Sequence, residues 1–328
     1  MKNKALLEEM RTYYGRDEVP HDFDQFWDSL IHNTSVPQDF RLKPVDFNLP
    51  QVNCYELYFA GVGGGTIYAK IVLPKSSQKV PVILSFHGYM GRTSDWSAML
   101  SYCAAGYGFA MMDVPGQSGY STDPAQFVHG NTVKGHIIRG AVDGPEHLFY
   151  KNVYLDVYRF TNIIAQLDGV DENALYSFGA SQGGALALVA AALNPKIRTT
   201  VSIYPFLSDF RRVLEIGNTS EAYDELFRYF KFHDPFHETE DKIMETLAYI
   251  DVKNFAHRIQ CPVKMVIALD DIVCYPITQM AIYNRVKTHK EYKLLPEYGH
   301  DDMHVYVSDT VFNWLCGTNI ACGSTWIE

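Results

Sequence analysis

The sequence predicts an α/β fold: a mostly parallel, doubly wound sheet with an N-terminal helical arm and a helical insertion. Three observations predict it. Residues 81–86 and 108–114 are short, almost wholly apolar runs, the pattern of strands buried on both faces. Such runs alternate with helical periodicity after an opening hairpin, as parallel sheets require. Residues 174–189 read A-L-Y-S-F-G-A-S-Q-G-G-A-L-A-L-V, which is a strand, a tight G-x-S-x-G turn and a helix in immediate succession.

The elements follow in order. Residues 1–40 hold the helix-like L-L-E-E-M-R-T-Y-Y and then Phe23, Phe26 and Trp27, which read as an arm packed on the outside of a core. Strands at 54–59 and 66–73 face each other across Gly61 and Gly65, a hairpin. The strands at 81–86 and 108–114 come next, then a helix at 154–167. The strand at 174–178 precedes the serine turn, and the helix at 183–193 follows it. Further strands are expected at 200–204, 263–269 and 291–295, and a last helix at 303–315. The stretch at about 207–257 breaks the alternation with polar-aromatic helical sequence (E-A-Y-D-E-L-F-R-Y-F) and reads as a cap inserted near the substrate mouth. Residues 1–328 are expected to form a single domain with this arm and cap.

Composition narrows the partners. Hydrophobic residues are 47% and charged residues 20%, the balance of a globular chain. A net charge of -10 disfavours nucleic acid and anionic membrane surfaces. The opening M-K-N-K-A-L-L-E-E-M carries acids where a secretory leader is apolar, and no run is long enough to span a bilayer. Cysteines 54, 103, 261, 274, 316 and 322 show neither C-x-x-C nor zinc-ligand spacing. Free buried thiols in a reducing, cytoplasmic setting are the expectation, with no metal and no organic cofactor.

The chemistry centres on Ser181. A serine at the apex of a strand-to-helix turn presents its hydroxyl beside the helix N-terminus, whose amides favour developing negative charge. It needs a histidine base and an acid, which this fold delivers in the chain order Ser, Asp, His. Asp270 and Asp271 follow the strand at 263–269. The loop A-L-D-D-I-V-C-Y-P aligns Asp271 with the acid of G-x-x-D-x-x-x-P-P, so Asp271 is favoured and Asp270 reads as a turn or surface carboxylate. His300 follows the last strand and is the expected base; His304, a turn further on, and His87, in F-H-G-Y, are its rivals. The oxyanion amides are expected from Gln182, next to the serine, and Tyr89, in the loop after the strand at 81–86.

A broader set of motifs resembles carbohydrate esterase family seven, the acetyl xylan esterases and cephalosporin C deacetylases of the α/β-hydrolase superfamily. The matches include D-F-D-Q-F-W at 22–27, I-Y-A-K at 67–70, F-H-G-Y at 86–89 with Asp95-Trp96, and G-H-I at 135–137 with Arg139-Gly140. V-Y-L-D at 153–156, S-Q-G-G at 181–184, P-F-L at 205–207 and C-P-V at 261–263 complete them. The resemblance implies a serine esterase with the triad Ser181, Asp271 and His300, oxyanion amides at Tyr89 and Gln182, and Tyr89 at the substrate. It implies small acetylated sugars as substrate, xylo-oligosaccharides or cephalosporin C, a small acyl pocket reached through an internal cavity, and a homo-oligomer, a hexamer. Hydrolysis of other short esters or peptides is the alternative on the same fold, and a non-catalytic binding protein is a third reading. Two positions depart from the family. Its R-G-Q reads Pro115-Gly116-Gln117, which removes a guanidinium, and its H-E reads His300-Asp301. The tail at 316–328 has no counterpart in these motifs.

Overall fold

The computed structural model describes residues 4–124, 136–217, 222–300 and 305–318. Two helices open the chain, α1 (Lys4–Arg11) and α2 (Phe23–Asn33), followed by strands β1 (Arg41–Val45), β2 (Val52–Ala60), β3 (Thr66–Pro74) and β4 (Val80–Phe86). Then come α3 (Ser101–Ala104), β5 (Gly108–Met112), α4 (Phe149–Gln166), β6 (Val170–Ala180), α5 (Gln182–Leu193) and β7 (Ile197–Ile203). Helices α6 (Phe210–Ile216), α7 (Asp224–Phe232) and α8 (Glu240–Leu247) precede β8 (Val263–Ala268), α9 (Pro276–Arg285), β9 (Lys290–Leu295) and α10 (Val307–Cys316).

The nine strands form one sheet in the order β1-β2-β3-β5-β4-β6-β7-β8-β9. The β1–β2, β2–β3 and β3–β5 pairs are antiparallel, and every pair from β5 to β9 is parallel. The expected hairpin is β2–β3, closed by Gly61 N–H donating to the Gly65 carbonyl at 2.8 Å. A parallel sheet sends the C-terminal ends of its strands to one edge, where ligands bind in open α/β sheets. Here that edge gathers His87, Ser181, Tyr204, Asp271 and His300, each just past its strand. Helix α5 is buried at all twelve residues, and its Ala- and Gly-rich sequence lets it lie close between the sheet and α4.

Three expectations differ from the structure. The strand β1 went unread because Pro44 and exposed charged residues interrupt it; an edge strand tolerates both. The last helix starts at Val307 rather than 303, and residues 301–304, with Asp301 and His304, lie outside the described residues. The N-terminal arm is not laid over a finished core but belongs to it. Met10, Phe23 and Trp27 are at most 1% exposed, and the Trp27 indole N–H donates to the Tyr249 carbonyl at 3.0 Å. Among the described residues no helix is long and apolar enough to cross a membrane.

A buried ionic cluster ties the arm to the helices between β7 and β8. The Lys253 ammonium, wholly buried, lies 2.5 Å from Asp251 and 3.6 Å from Asp209. Asp209 also accepts from the Tyr13 hydroxyl at 2.6 Å and the Arg16 amide at 3.0 Å. Burial raises the Asp251 pKa, and the neighbouring ammonium opposes that shift. Removing one partner of such a cluster leaves charge buried and unpaired. Lys253→Met is therefore expected to destabilise the fold by about 3–5 kcal/mol, read as a lower urea midpoint with an unchanged slope.

Candidate active site

Strand β6 delivers Ser181 and α5 begins immediately after it. Ser181 adopts φ 56°, ψ -122°, a backbone region that costs a non-glycine residue about 1–3 kcal/mol. Packing holds it there. A Cβ on Gly183 would sit 1.9 Å from the Phe86 carbonyl oxygen, so only glycine lets α5 close onto the end of β4. The Ser181 amide donates to the Ile203 carbonyl at 2.9 Å, which fastens the turn to β7.

His300 Nε2 lies 3.1 Å from Ser181 Oγ, and His300 Nδ1 lies 2.9 Å from Asp271 Oδ2. The imidazole packs against the Tyr204 ring at 4.5 Å. The other oxygen of Asp271 accepts from the Val273 and Cys274 amides, both at 2.8 Å, so its carboxylate is held from both sides. Asp271 is 2% exposed, whereas Asp270 is exposed and its amide donates to the Tyr298 carbonyl. The geometry thus brings Ser181, His300 and Asp271 into one line and leaves Asp270 outside it. His87 is a loop brace: its Nδ1 meets the Gly88 carbonyl at 2.8 Å and its Nε2 accepts from the Val114 amide at 2.9 Å. Burial lowers its pKa, which keeps the imidazole neutral and able to accept that amide.

Tyr89 stands in the loop after β4 and lines the same cavity as Ser181 and His300. The Gln182 amide is the first N–H of α5, a position with no intrahelical acceptor. The Gln182 side chain, fully buried, joins these two elements. Its oxygen accepts from Tyr150 OH at 2.8 Å and from Gln117 Nε2 at 2.7 Å, and its nitrogen donates to the His87 carbonyl at 3.3 Å. Gln117 Oε1 in turn accepts from the Met90 amide at 2.8 Å, where the backbone has φ 59°. Two amide side chains therefore brace the loop that carries Tyr89. Tyr150 and Gln117 had no assigned role in the sequence reading. Gln117 was visible in Pro115-Gly116-Gln117, but only the fold shows that it reaches Gln182. Pro115 itself lines a separate cavity with Arg139 and Asp123, which pair at 2.6 Å.

A second carboxylate sits behind Tyr89. Glu225, in the first turn of α7, accepts from the Tyr89 hydroxyl at 3.2 Å and from the Ile137 amide. Burial pushes its pKa up to about 7, against the lowering effect of those donors. The ordinary value is 4.5, so between 4.5 and about 7 the folded chain holds a proton that the unfolded chain has released. Its stabilising contribution is complete below 4.5 and is lost as pH rises through about 7. Glu225→Gln is expected to remove about 1–3 kcal/mol of that decline, measured as urea stability at pH 5 against pH 8. Asp156, also raised to about 7 by burial, titrates with the same sign, and His136, lowered to about 4, and His87, also lowered, titrate with the opposite sign, so the difference between variant and wild type is what reports Glu225.

Asp271, Cys274 and His300 are the one set of potential metal ligands within reach of one another among the described residues. The carboxylate and imidazole are already paired, and burial raises the Cys274 pKa well above that of a free thiol, which leaves it a poor ligand. This donor set suits a hydrogen-bonded relay rather than an ion. The Cys274 sulfur lies 3.9 Å from Ser181 Oγ.

The sequence matches the acetyl xylan esterase family (AXE1) over residues 1–318. It is 31% identical over 285 residues to the acetyl esterase Axe7A of Xylanibacter ruminicola, covering 84% of this chain. The chain spans 62% of that relative's length. The crystal structure of acetyl xylan esterase 1 from Thermoanaerobacterium sp. JW/SL YS485 superposes with a TM-score of 0.90 at 40% identity, over 95% of this chain and 98% of that one. The acetyl xylan esterase from Paenibacillus sp. R4 gives 0.87 at 32% identity, over 94% and 98%. With its strand order, its serine turn and this agreement along nearly the whole length, the chain belongs to the acetyl xylan esterase family, carboxylic ester hydrolases built on the α/β-hydrolase fold.

Proposed function

We propose that this chain is a serine esterase that removes acetyl groups from small acetylated carbohydrates through a covalent acyl-enzyme. The observation that carries the reading is the line from Ser181 Oγ through His300 to Asp271. In the first step His300 Nε2 takes the Ser181 proton as Oγ attacks the ester carbonyl. The resulting oxyanion is met by the Tyr89 and Gln182 amides. His300 then returns the proton to the leaving alcohol, and the acetyl group stays on Ser181. Water, deprotonated by the same imidazole, attacks the acetyl-serine and releases acetate with Ser181 restored. Asp271 orients the ring and stabilises its charged form without taking the proton.

A small acyl group is supported by the rings beside the serine. Phe206, wholly buried, packs between Tyr89 at 5.5 Å and Tyr223 at 4.6 Å, and its amide donates to the Ser181 carbonyl at 3.1 Å, which puts packed aromatic rings next to the serine turn. Acetate release from acetylated xylo-oligosaccharides and cephalosporin C, beside p-nitrophenyl acetate, butyrate and octanoate, tests the reading. Acetate is expected to turn over at least about tenfold faster than butyrate, the cost of forcing two methylenes into a filled site. Faster turnover of butyrate or octanoate would refute it. The same proposal includes a homo-oligomer, a hexamer, checked by light scattering. It also includes a cytoplasmic setting, which the free thiols of Cys54, Cys103, Cys261, Cys274 and Cys316 support.

A further inference from the structure

The cavity that Ser181 and His300 line has a volume of about 1070 Å³ and does not end at them. It continues into a groove with α3 and the short turn Trp96–Met99 on one side and α10 on the other. The groove is lined by Met90, Met99, Tyr102, Phe109, Met111 and Phe312. Tyr102 stacks on Phe109 at 4.9 Å and on Phe312 at 5.2 Å, so α3, β5 and α10 share one aromatic surface. The apolar part of this lining gains from covering an alkyl or aryl group, while Ser101, Ser308 and Asp309 add polar atoms along the same walls.

We propose that this groove is a subsite for the alcohol part of the ester. It would take an apolar alkyl or aromatic group carried by that alcohol, such as the aglycone of an acetylated sugar. The inference rests on the esterase reading above. The direction comes from the chemistry. The leaving oxygen must lie within reach of His300 Nε2, and α10 is the element that follows His300 in the chain. The acyl substituent would lie on the other side of the ester carbon, where Tyr89 lines the cavity and Phe206 packs against it at 5.5 Å.

The test compares two ester series by pH-stat: methyl, butyl and hexyl acetate, and methyl acetate, butyrate and hexanoate. Each buried methylene is worth up to about fourfold, so kcat/KM is expected to rise at least about tenfold from methyl to hexyl acetate and to fall along the acyl series. Ala98→Trp and Ser101→Phe fill the groove from its α3 side, and both are expected to bring the hexyl-to-methyl ratio down toward one. Circular dichroism identifies a variant that has not folded, and the other then carries the comparison. A flat alcohol series, with p-nitrophenyl acetate still hydrolysed, overturns the subsite and leaves the esterase reading standing. A rise along the acyl series overturns the alcohol assignment. If no ester is turned over, the esterase reading falls, and calorimetry decides the groove. Hexan-1-ol binding that is lost in both folded variants supports an apolar site, and no binding to the wild-type protein overturns it.

Discussion

Ser181→Ala is expected to lower kcat for p-nitrophenyl acetate by about 10⁴- to 10⁶-fold while the protein stays folded. The size follows from what the substitution removes. Without Oγ there is no covalent intermediate, and the His300 imidazole has no hydroxyl to activate. In the mechanism proposed above, what survives is the binding of the substrate and the two proposed oxyanion amides, which by themselves leave a residual acceleration over water. The fold is spared because the hydroxyl is not what holds the turn. That work falls to the Ser181 amide on Ile203 and to the contact of Gly183 with β4. Alanine also tolerates φ 56° no worse than serine does. Circular dichroism and a steady-state assay check both halves of the expectation. A folded variant with wild-type turnover would remove Ser181 from the mechanism.

Asp271→Asn is the second large effect, a fall in kcat of about 10³- to 10⁴-fold. The carboxylate accepts the Nδ1 proton of His300, which leaves Nε2 unprotonated and able to take the serine proton. An asparagine turned to donate its amide to Nδ1 would place the ring proton on Nε2, where it faces Ser181 and blocks that transfer. The oxygen held by the Val273 and Cys274 amides is retained in the amide side chain, so the loop keeps its shape. Asp270→Asn serves as the control and is expected to stay within about twofold of wild type, because it is Asp271, and not Asp270, whose carboxylate bonds His300. Comparable losses from both substitutions would show that the loop, and not one carboxylate, supports the base.

These residues were legible in the sequence for a physical reason. A nucleophile on a strained turn needs glycines on both sides, and the parallel sheet places its partners just after strand ends, so pattern and function share one cause. The choice between Asp270 and Asp271 also had a local basis, since the register of the loop decides which side chain turns inward. The bracing by Gln117 and Tyr150 had no such signal. Each reaches Gln182 across a large separation in sequence, 65 and 32 residues, and only the packing of α4 and the loop after β5 brings them together. Glu225 is similar. Its sequence neighbourhood is an ordinary acidic helix start, and the burial that raises its pKa, like the Tyr89 and Ile137 donors that oppose the shift, comes only with the packed fold. The N-terminal arm was misplaced because amphipathic helices read the same whether they close a core or lie over it. The difference lies in what the rest of the chain offers their apolar face.

That last point has a consequence for how the chain is made. Trp27 packs between Tyr154 and Phe255, with ring centres 5.9 and 5.0 Å away, and its indole bonds to the carbonyl of residue 249. None of these partners exists when α2 leaves the ribosome. The opening segment must wait, its apolar face uncovered, until more than two hundred further residues have been synthesised. During that interval Phe23 and Trp27 are the surface a chaperone would hold. The helix translated before its partners is thus among the last to find its place.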